Sequence, residues 1–211
     1  MAWQAFIDFW KKYYDNAGKT DQDYYNPYIN QELTKTSLDK LWQWKMQDQY
    51  NRFPSKREQV RKMKNDVEML RGFQKQSLNE DAFNQLLKYS YSIFRSGNVY
   101  RIFLFHIIWP NEFTILDQHV IRSFLFLQKG RLEKNTGYLI GKDNIKLHND
   151  CLYNKYNDFV HAINKEYGIS IRDIDKALMA FGQFLNNPQK FLKLNYCGRA
   201  DCRIMKNSDK K

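Results

Sequence analysis

Asp117, His119 and Arg122 stand together in the run Asp117-Gln118-His119-Val120-Ile121-Arg122, shortly after an apolar segment that Pro110 terminates. A carboxylate in such a place has two uses. It can activate water as a general base, or it can accept the free amides of a helix Gln118–Lys129 as its N-cap. His119 and Arg122, two and five residues on, point elsewhere on that helix, where Arg122 can reach a phosphate or anchor Asp117. Upstream, Ser96-Gly97-Asn98 is a turn signal that opens a second helix, with Arg101 in its first turns. A turn at a helix N-terminus presents unpaired amides, and the helix dipole assists them in holding an anion such as phosphate.

The elements that must carry these residues read as helices throughout. Phe6, Phe9, Trp10 and Tyr13 recur at helical spacing, until Gly18 ends that helix and a polar loop runs to Asn30. Thr36 can cap a helix over Leu38–Met46, with Leu38, Leu41, Trp42 and Lys45 on one stripe. Pro54-Ser55 opens a helix Lys56–Gln74, and Asn79 caps the next, which carries Phe83, Leu86, Leu87 and Ser90. Val99–Trp109 is apolar around nearly its whole circumference, which predicts the buried central helix. A helix from Ile115 to Lys129 ends at Gly130, and residues 150–167 and 171–186 are helical, the last with Ser170 and Asp173 in a partial capping arrangement. No stretch alternates with period two. The expected architecture is all-α, with eight or nine helices, in one compact unit or two interleaved subdomains with the cleft near 95–120; residues 206–211 are a polar tail.

Charge narrows the partner. Among 211 residues, 34 Lys and Arg against 23 Asp and Glu leave a net charge of +11, and the excess lies in the last two thirds of the chain. Such a balance favours a polyanion through phosphate neutralisation and counterion release; a merely basic protein is the plainer reading. Phe, Tyr and Trp make up 16% of the chain, which excludes disorder, and 9 Gly with 4 Pro are too few for the turns of an all-β sandwich. No apolar run reaches the roughly 18 residues of a membrane span, and Asp8, Lys11 and Lys12 interrupt any signal-peptide pattern. The odd count of Cys151, Cys197 and Cys202 fits a reducing compartment, and their spacing matches no standard metal site even with His148 added. The expectation is a cytoplasmic monomer with no metal, no cofactor and no membrane partner.

The order of glycine turn, buried helix, proline stop and Asp117-x-His119-Val120-x-Arg122 resembles the helix-hairpin-helix DNA glycosylase superfamily, of the endonuclease III and 8-oxoguanine glycosylase kind. The likeness covers about residues 80–130, and Gly97 and Asp117 stand 20 residues apart, close to the family's spacing. It implies a helix-hairpin-helix glycosylase-like fold that binds duplex DNA with a flipped nucleotide. Ser96, Gly97, Asn98, Arg101 and Arg122 would then contact nucleic acid, and Asp117 would be the catalytic residue. Beside a flipped sugar a carboxylate stabilises oxocarbenium character as the base leaves, or activates water. The family's paired glycines are reduced here to Gly97, and its four-cysteine cluster is absent. Where bifunctional members carry a lysine nucleophile stand Val99, Tyr100 and Arg101, and a guanidinium cannot form a Schiff base. The resemblance therefore implies monofunctional base removal. Its alternatives are a non-catalytic nucleic-acid-binding protein of the same fold and a helical protein-interaction module.

Other residues have two readings. Trp42, Trp44 and Tyr50 could stack on a base, though such tryptophans are more often core. Tyr24, Tyr25 and Tyr28 lie in a polar loop, a better place for an exposed aromatic contact. Lys56, Arg57, Arg61, Lys62 and Lys64 form a basic run offset by Glu58, Asp66 and Glu68, as on a solvated helix face.

Overall fold

The computed structural model describes residues 2–14, 20–95, 97–132, 136 and 151–189. Among them every regular element is a helix, and none is long and apolar enough to cross a membrane. The helices outnumber the eight or nine expected, for local reasons. The loop before Asn30 holds two single turns, α2 (Asp21–Tyr24) and α3 (Asn26–Ile29). Thr20 caps the first by accepting from the Asp23 amide, and a proline stands in the first turn of the second. The stretch expected as one helix over Lys56–Gln74 is two, α6 (Pro54–Asn65) and α7 (Val67–Gln74). Asp66 breaks it, with its amide turned back to the Lys62 and Met63 carbonyls and its carboxylate accepting from the Tyr89 hydroxyl. A further short helix, α5 (Asp48–Arg52), precedes them.

The chain divides into two compact units. The first comprises residues 16–116 and 139–157. Its α4 (Lys35–Met46) starts earlier than Thr36 would allow, because Thr34 and Ser37 close a reciprocal capping box. Asn79 caps α8 (Glu80–Ile93) as its position predicts, through the Ala82 amide. In α9 (Asn98–Ile108) every residue from Arg101 to Ile108 is buried. An all-round apolar helix has no solvent face to offer, and α4, α7 and α8 are among the helices that cover it. Trp42 packs on Phe94 and Phe103, and Trp44 on Phe103 and Tyr25, which makes both tryptophans core.

The second unit comprises residues 1–15, 117–138 and 158–211. Its described helices are α1 (Trp3–Trp10), α10 (Gln118–Lys129), the later part of α11 (Leu152–Tyr167) and α12 (Ile171–Asn186). Phe181 of α12 takes Phe6 edge-on at 5.3 Å and Trp10 at 5.0 Å, so the aromatic stripe of α1 is its cover. Ser170 caps α12 through the Asp173 amide, and Gly130 ends α10 in the left-handed region. The closest approach is between α10 and α12. A Cβ on Gly182 would lie 2.0 Å from the His119 carbonyl oxygen and 2.8 Å from the Ser123 hydroxyl, which itself donates to the Leu178 carbonyl. Only glycine fits. Gly72 in α7, by contrast, has nothing within 4 Å of its virtual Cβ.

Two identical substitutions should therefore act with opposite signs. Gly182→Ala is expected to destabilise by about 3 kcal/mol through backbone overlap. Gly72→Ala should stabilise by about 0.5–1 kcal/mol through helix propensity. Urea midpoints of the two variants against the parent chain check both, and a stable Gly182→Ala would mean that α10 and α12 do not meet this closely.

Candidate functional site

Between α9 and α10 the chain runs irregularly, with Phe113, Thr114, Ile115 and Leu116 all buried. This is where the helix expected from Ile115 is corrected: α10 begins only at Gln118. A buried segment outside any helix must find partners for its carbonyls, since each orphan costs on the order of 1–3 kcal/mol. Here five consecutive carbonyls receive side-chain donors. Asn157 Nδ2 donates to Glu112 O, His106 Nδ1 to Phe113 O, and the Tyr153 hydroxyl to Thr114 O. The Tyr156 hydroxyl donates to Ile115 O, and Lys45 Nζ to Leu116 O at 2.8 Å. Asn157 Oδ1 also takes the Thr114 amide and hydroxyl, at 2.8 and 2.9 Å. A carbonyl only accepts, so His106 carries its proton on Nδ1, and in the neutral ring Nε2 accepts from the Tyr25 hydroxyl at 2.6 Å. Tyr25 is thus buried, not the exposed loop aromatic its surroundings suggested.

Asp117 is the next residue in the chain. It caps α10, its Oδ1 accepting from the His119 amide at 2.8 Å. The second oxygen has no hydrogen-bond partner among the described residues, and the side chain is half-buried. Behind it, Arg122 Nη1 donates to His119 Nδ1 at 2.8 Å and to the Gly182 carbonyl at 3.2 Å, while Nη2 donates to the Thr136 hydroxyl. Arg122 therefore holds His119 and not Asp117 by hydrogen bond. Accepting at Nδ1 fixes His119 as the neutral tautomer with its proton on Nε2. Burial, more than the Arg122 charge, pushes the imidazole below its ordinary 6.5, and the Asp117 carboxylate only partly opposes this.

Of the residues read as the phosphate-holding turn, Ser96 lies outside the described ones. Gly97 is exposed with φ +105, a left-handed backbone, and serves as the N-cap position of α9 with no side-chain cap. Asn98 and Arg101 are buried. The Arg101 guanidinium donates to the Phe94 carbonyl at 3.0 Å and to Asn98 Oδ1 at 2.8 Å, and lies 4.1 Å from the Tyr91 ring centroid. It makes no ion pair among the described residues, and burial draws it below its ordinary range. Gly97, Asn98 and Arg101 belong to the first unit, Asp117 and Arg122 to the second. A cavity of about 970 Å³ lies at the other end of α9, lined by Leu78, Asn79, Glu80, Trp109, Asn111 and Glu112 among others. It holds two carboxylates and no cation, which suits no phosphate. Among the described residues no group of His, Cys, Asp and Glu is arranged to hold a metal; Cys197, Cys202 and His148 lie outside them.

Sequence reasoning missed the donors to the buried strap. Two left a signal: Lys45 on an apolar stripe and His106 inside an apolar helix. Tyr153, Tyr156 and Asn157 read only as helical periodicity. Comparison of the chain with protein-family models, with curated proteins and with solved structures returns no match.

The neutral His119 predicts a pH dependence of stability. In the unfolded chain the imidazole takes a proton near its ordinary 6.5, whereas in the folded protein it does so only at lower pH. The unfolded state then binds more protons in that window, so stability is full above about pH 6.5 and declines as the pH falls. His119→Asn keeps an acceptor near Arg122 and does not titrate. Denaturant unfolding between pH 7.5 and 5 should show a shallower decline for the variant, and parallel curves would remove His119 from the account.

Proposed function

We propose that the chain is a monofunctional glycosylase-like protein that binds DNA and hydrolyses the N-glycosidic bond of a flipped nucleotide with Asp117. The observation that carries this is the half-buried Asp117 carboxylate, with one oxygen used in capping and the other unbonded among the described residues, beside a His119 that Arg122 holds within the same unit. A cap uses one oxygen; a reacting carboxylate needs another left over and support behind it, because catalysis depends on fixed geometry. In the reaction the C1′–N bond breaks and its electron pair leaves with the base. The carboxylate faces the oxocarbenium charge that develops on the sugar, and water adds at C1′ while giving its proton to Asp117.

The exposed left-handed turn at Gly97, open at a helix N-terminus, supports phosphate contact. Arg101 and Arg122 serve this reading as supports. Their guanidinium groups are bonded to the protein's own carbonyls, one at the turn that leads to α9 and the other behind His119. The net charge of +11 supplies the long-range attraction.

Asp117→Asn keeps the cap and removes the charge. It should abolish base release from duplexes carrying damaged or modified bases, with unfolding midpoint and DNA affinity nearly unchanged. Equal rates in variant and parent would return Asp117 to capping alone. Affinity itself should fall steeply as salt rises, and indifference to salt would end the nucleic-acid reading.

Activity should also leave the strand intact. Val99, Tyr100 and Arg101 stand where a Schiff-base lysine would, and the nearest lysines, Lys88 and Lys129, belong to α8 and α10. Borohydride added during turnover should trap no protein–DNA adduct; an adduct would show that an amine reaches the sugar.

A further inference from the structure

The junction of α5 and α6 carries a surface that the Asp117 reading does not use. Arg52, Phe53 and Arg57 are exposed there and Lys56 is half-buried. The basic run of this helix divides once its ion pairs are drawn. Arg61 is bound by Glu58 on the solvated face, and Lys64 by the part-buried Asp39 of α4. Arg52, Lys56 and Arg57 meet no carboxylate among the described residues. Beside them Phe53 leaves 43% of its surface in water, with the Arg52 guanidinium 5.5 Å from its ring centroid. Phe53 is the N-cap residue of α6, so Lys56 and Arg57, three and four residues on, share its side of the helix.

Lys56 ties this surface to the Gly97 turn. Its ammonium lies 4.1 Å from the Tyr100 ring centroid, and the same ring comes within 3.3 Å of where a Cβ on Gly97 would stand. The Tyr100 hydroxyl donates to Gln49 at 2.9 Å, which fixes the ring between the two. Burial lowers the proton affinity of Lys56, and no carboxylate compensates its charge. An ammonium held on a π face and partly stripped of water attracts an outside anion more strongly than one in bulk solvent. Three uncompensated cations suit phosphates. An exposed ring among them suits an unstacked base, because stacking needs a π face and accepts any base.

We propose that Arg52, Phe53, Lys56 and Arg57, joined through Tyr100 to the Gly97 turn, form a contact surface for single-stranded DNA, with Phe53 stacked on an unpaired base and the cations on its flanking phosphates. This rests on the reading of the chain as DNA-binding and adds that the bound DNA is open beyond the flipped nucleotide. Fluorescence anisotropy with the full chain tests it on three probes: a single-stranded oligonucleotide, its duplex, and the same strand lacking bases. Phe53→Ala should weaken binding to the single strand about tenfold and leave the base-free strand unchanged. Arg52→Ala with Arg57→Ala should lower the slope of log affinity against log salt by about 1.4 on single strands, at about 0.7 per phosphate contact. Lys88→Ala, an exposed cation of α8, should leave the slope as it is. All these side chains are exposed, and circular dichroism confirms folding. If the parent chain binds DNA and the α6 variants bind equally well, this surface is wrong and the DNA reading stands. If Phe53→Ala weakens the base-free strand as much as the single strand, stacking is wrong. If no oligonucleotide binds, or only phosphatidylserine vesicles respond to the variants, both readings fall.

Discussion

The first unit depends on keeping an irregular segment dry. Residues 113–116 are buried without helical bonds of their own, and at neutral cost this is possible only if other elements bring donors to them. They come from α4, α9 and α11: Lys45, His106, and Tyr153, Tyr156 and Asn157. Each donor is itself held. Tyr25 closes the far side of His106, and Asn157 grips the strap from both its oxygen and its nitrogen. Loosening one leaves a buried carbonyl unmatched, so the arrangement is cooperative, and the three helices are fixed by the strap as much as by their apolar faces.

The second unit solves a related problem with a glycine. Because Gly182 has no side chain, the α12 backbone comes against the His119 carbonyl, and Arg122 can reach the Gly182 carbonyl while still donating to His119. One close approach thus sets the helix contact, the tautomer of His119 and the support behind the N-cap residue. The cap occupies one oxygen of Asp117 and leaves the other without a hydrogen bond among the described residues.

What the sequence made legible follows from period. Val99–Trp109 announced a buried helix because its apolar residues cover every side, and its residues are buried accordingly. Asn79, Ser170 and Gly130 marked their helix ends because capping is local. Thr36 lost to Thr34 by two residues, because the reciprocal partner Ser37 decides the register and both threonines look alike in isolation. The break at Asp66 was hidden, since Val60, Met63, Val67 and Leu70 keep helical spacing across it. The strap's donors were not legible at all as a set: Lys45 and Leu116 are 71 residues apart, and nothing periodic links them. For Asp117, sequence supplied the cap position, while its second oxygen, without a hydrogen bond among the described residues, required the structure.

The charge excess is also better understood from inside. A positive side chain balanced by a carboxylate contributes little at a distance, whereas one whose partners are carbonyls keeps its charge. Arg101 is buried on a carbonyl and an amide oxygen with no ion pair among the described residues, whereas Arg122, on a carbonyl, a hydroxyl and an imidazole, still feels the Asp117 carboxylate. Dipoles of this kind satisfy hydrogen bonds without cancelling the monopole. Lys56, on a ring, is in the same position. Around Arg101 and Lys56 a low-dielectric surrounding screens the positive charge less than water would.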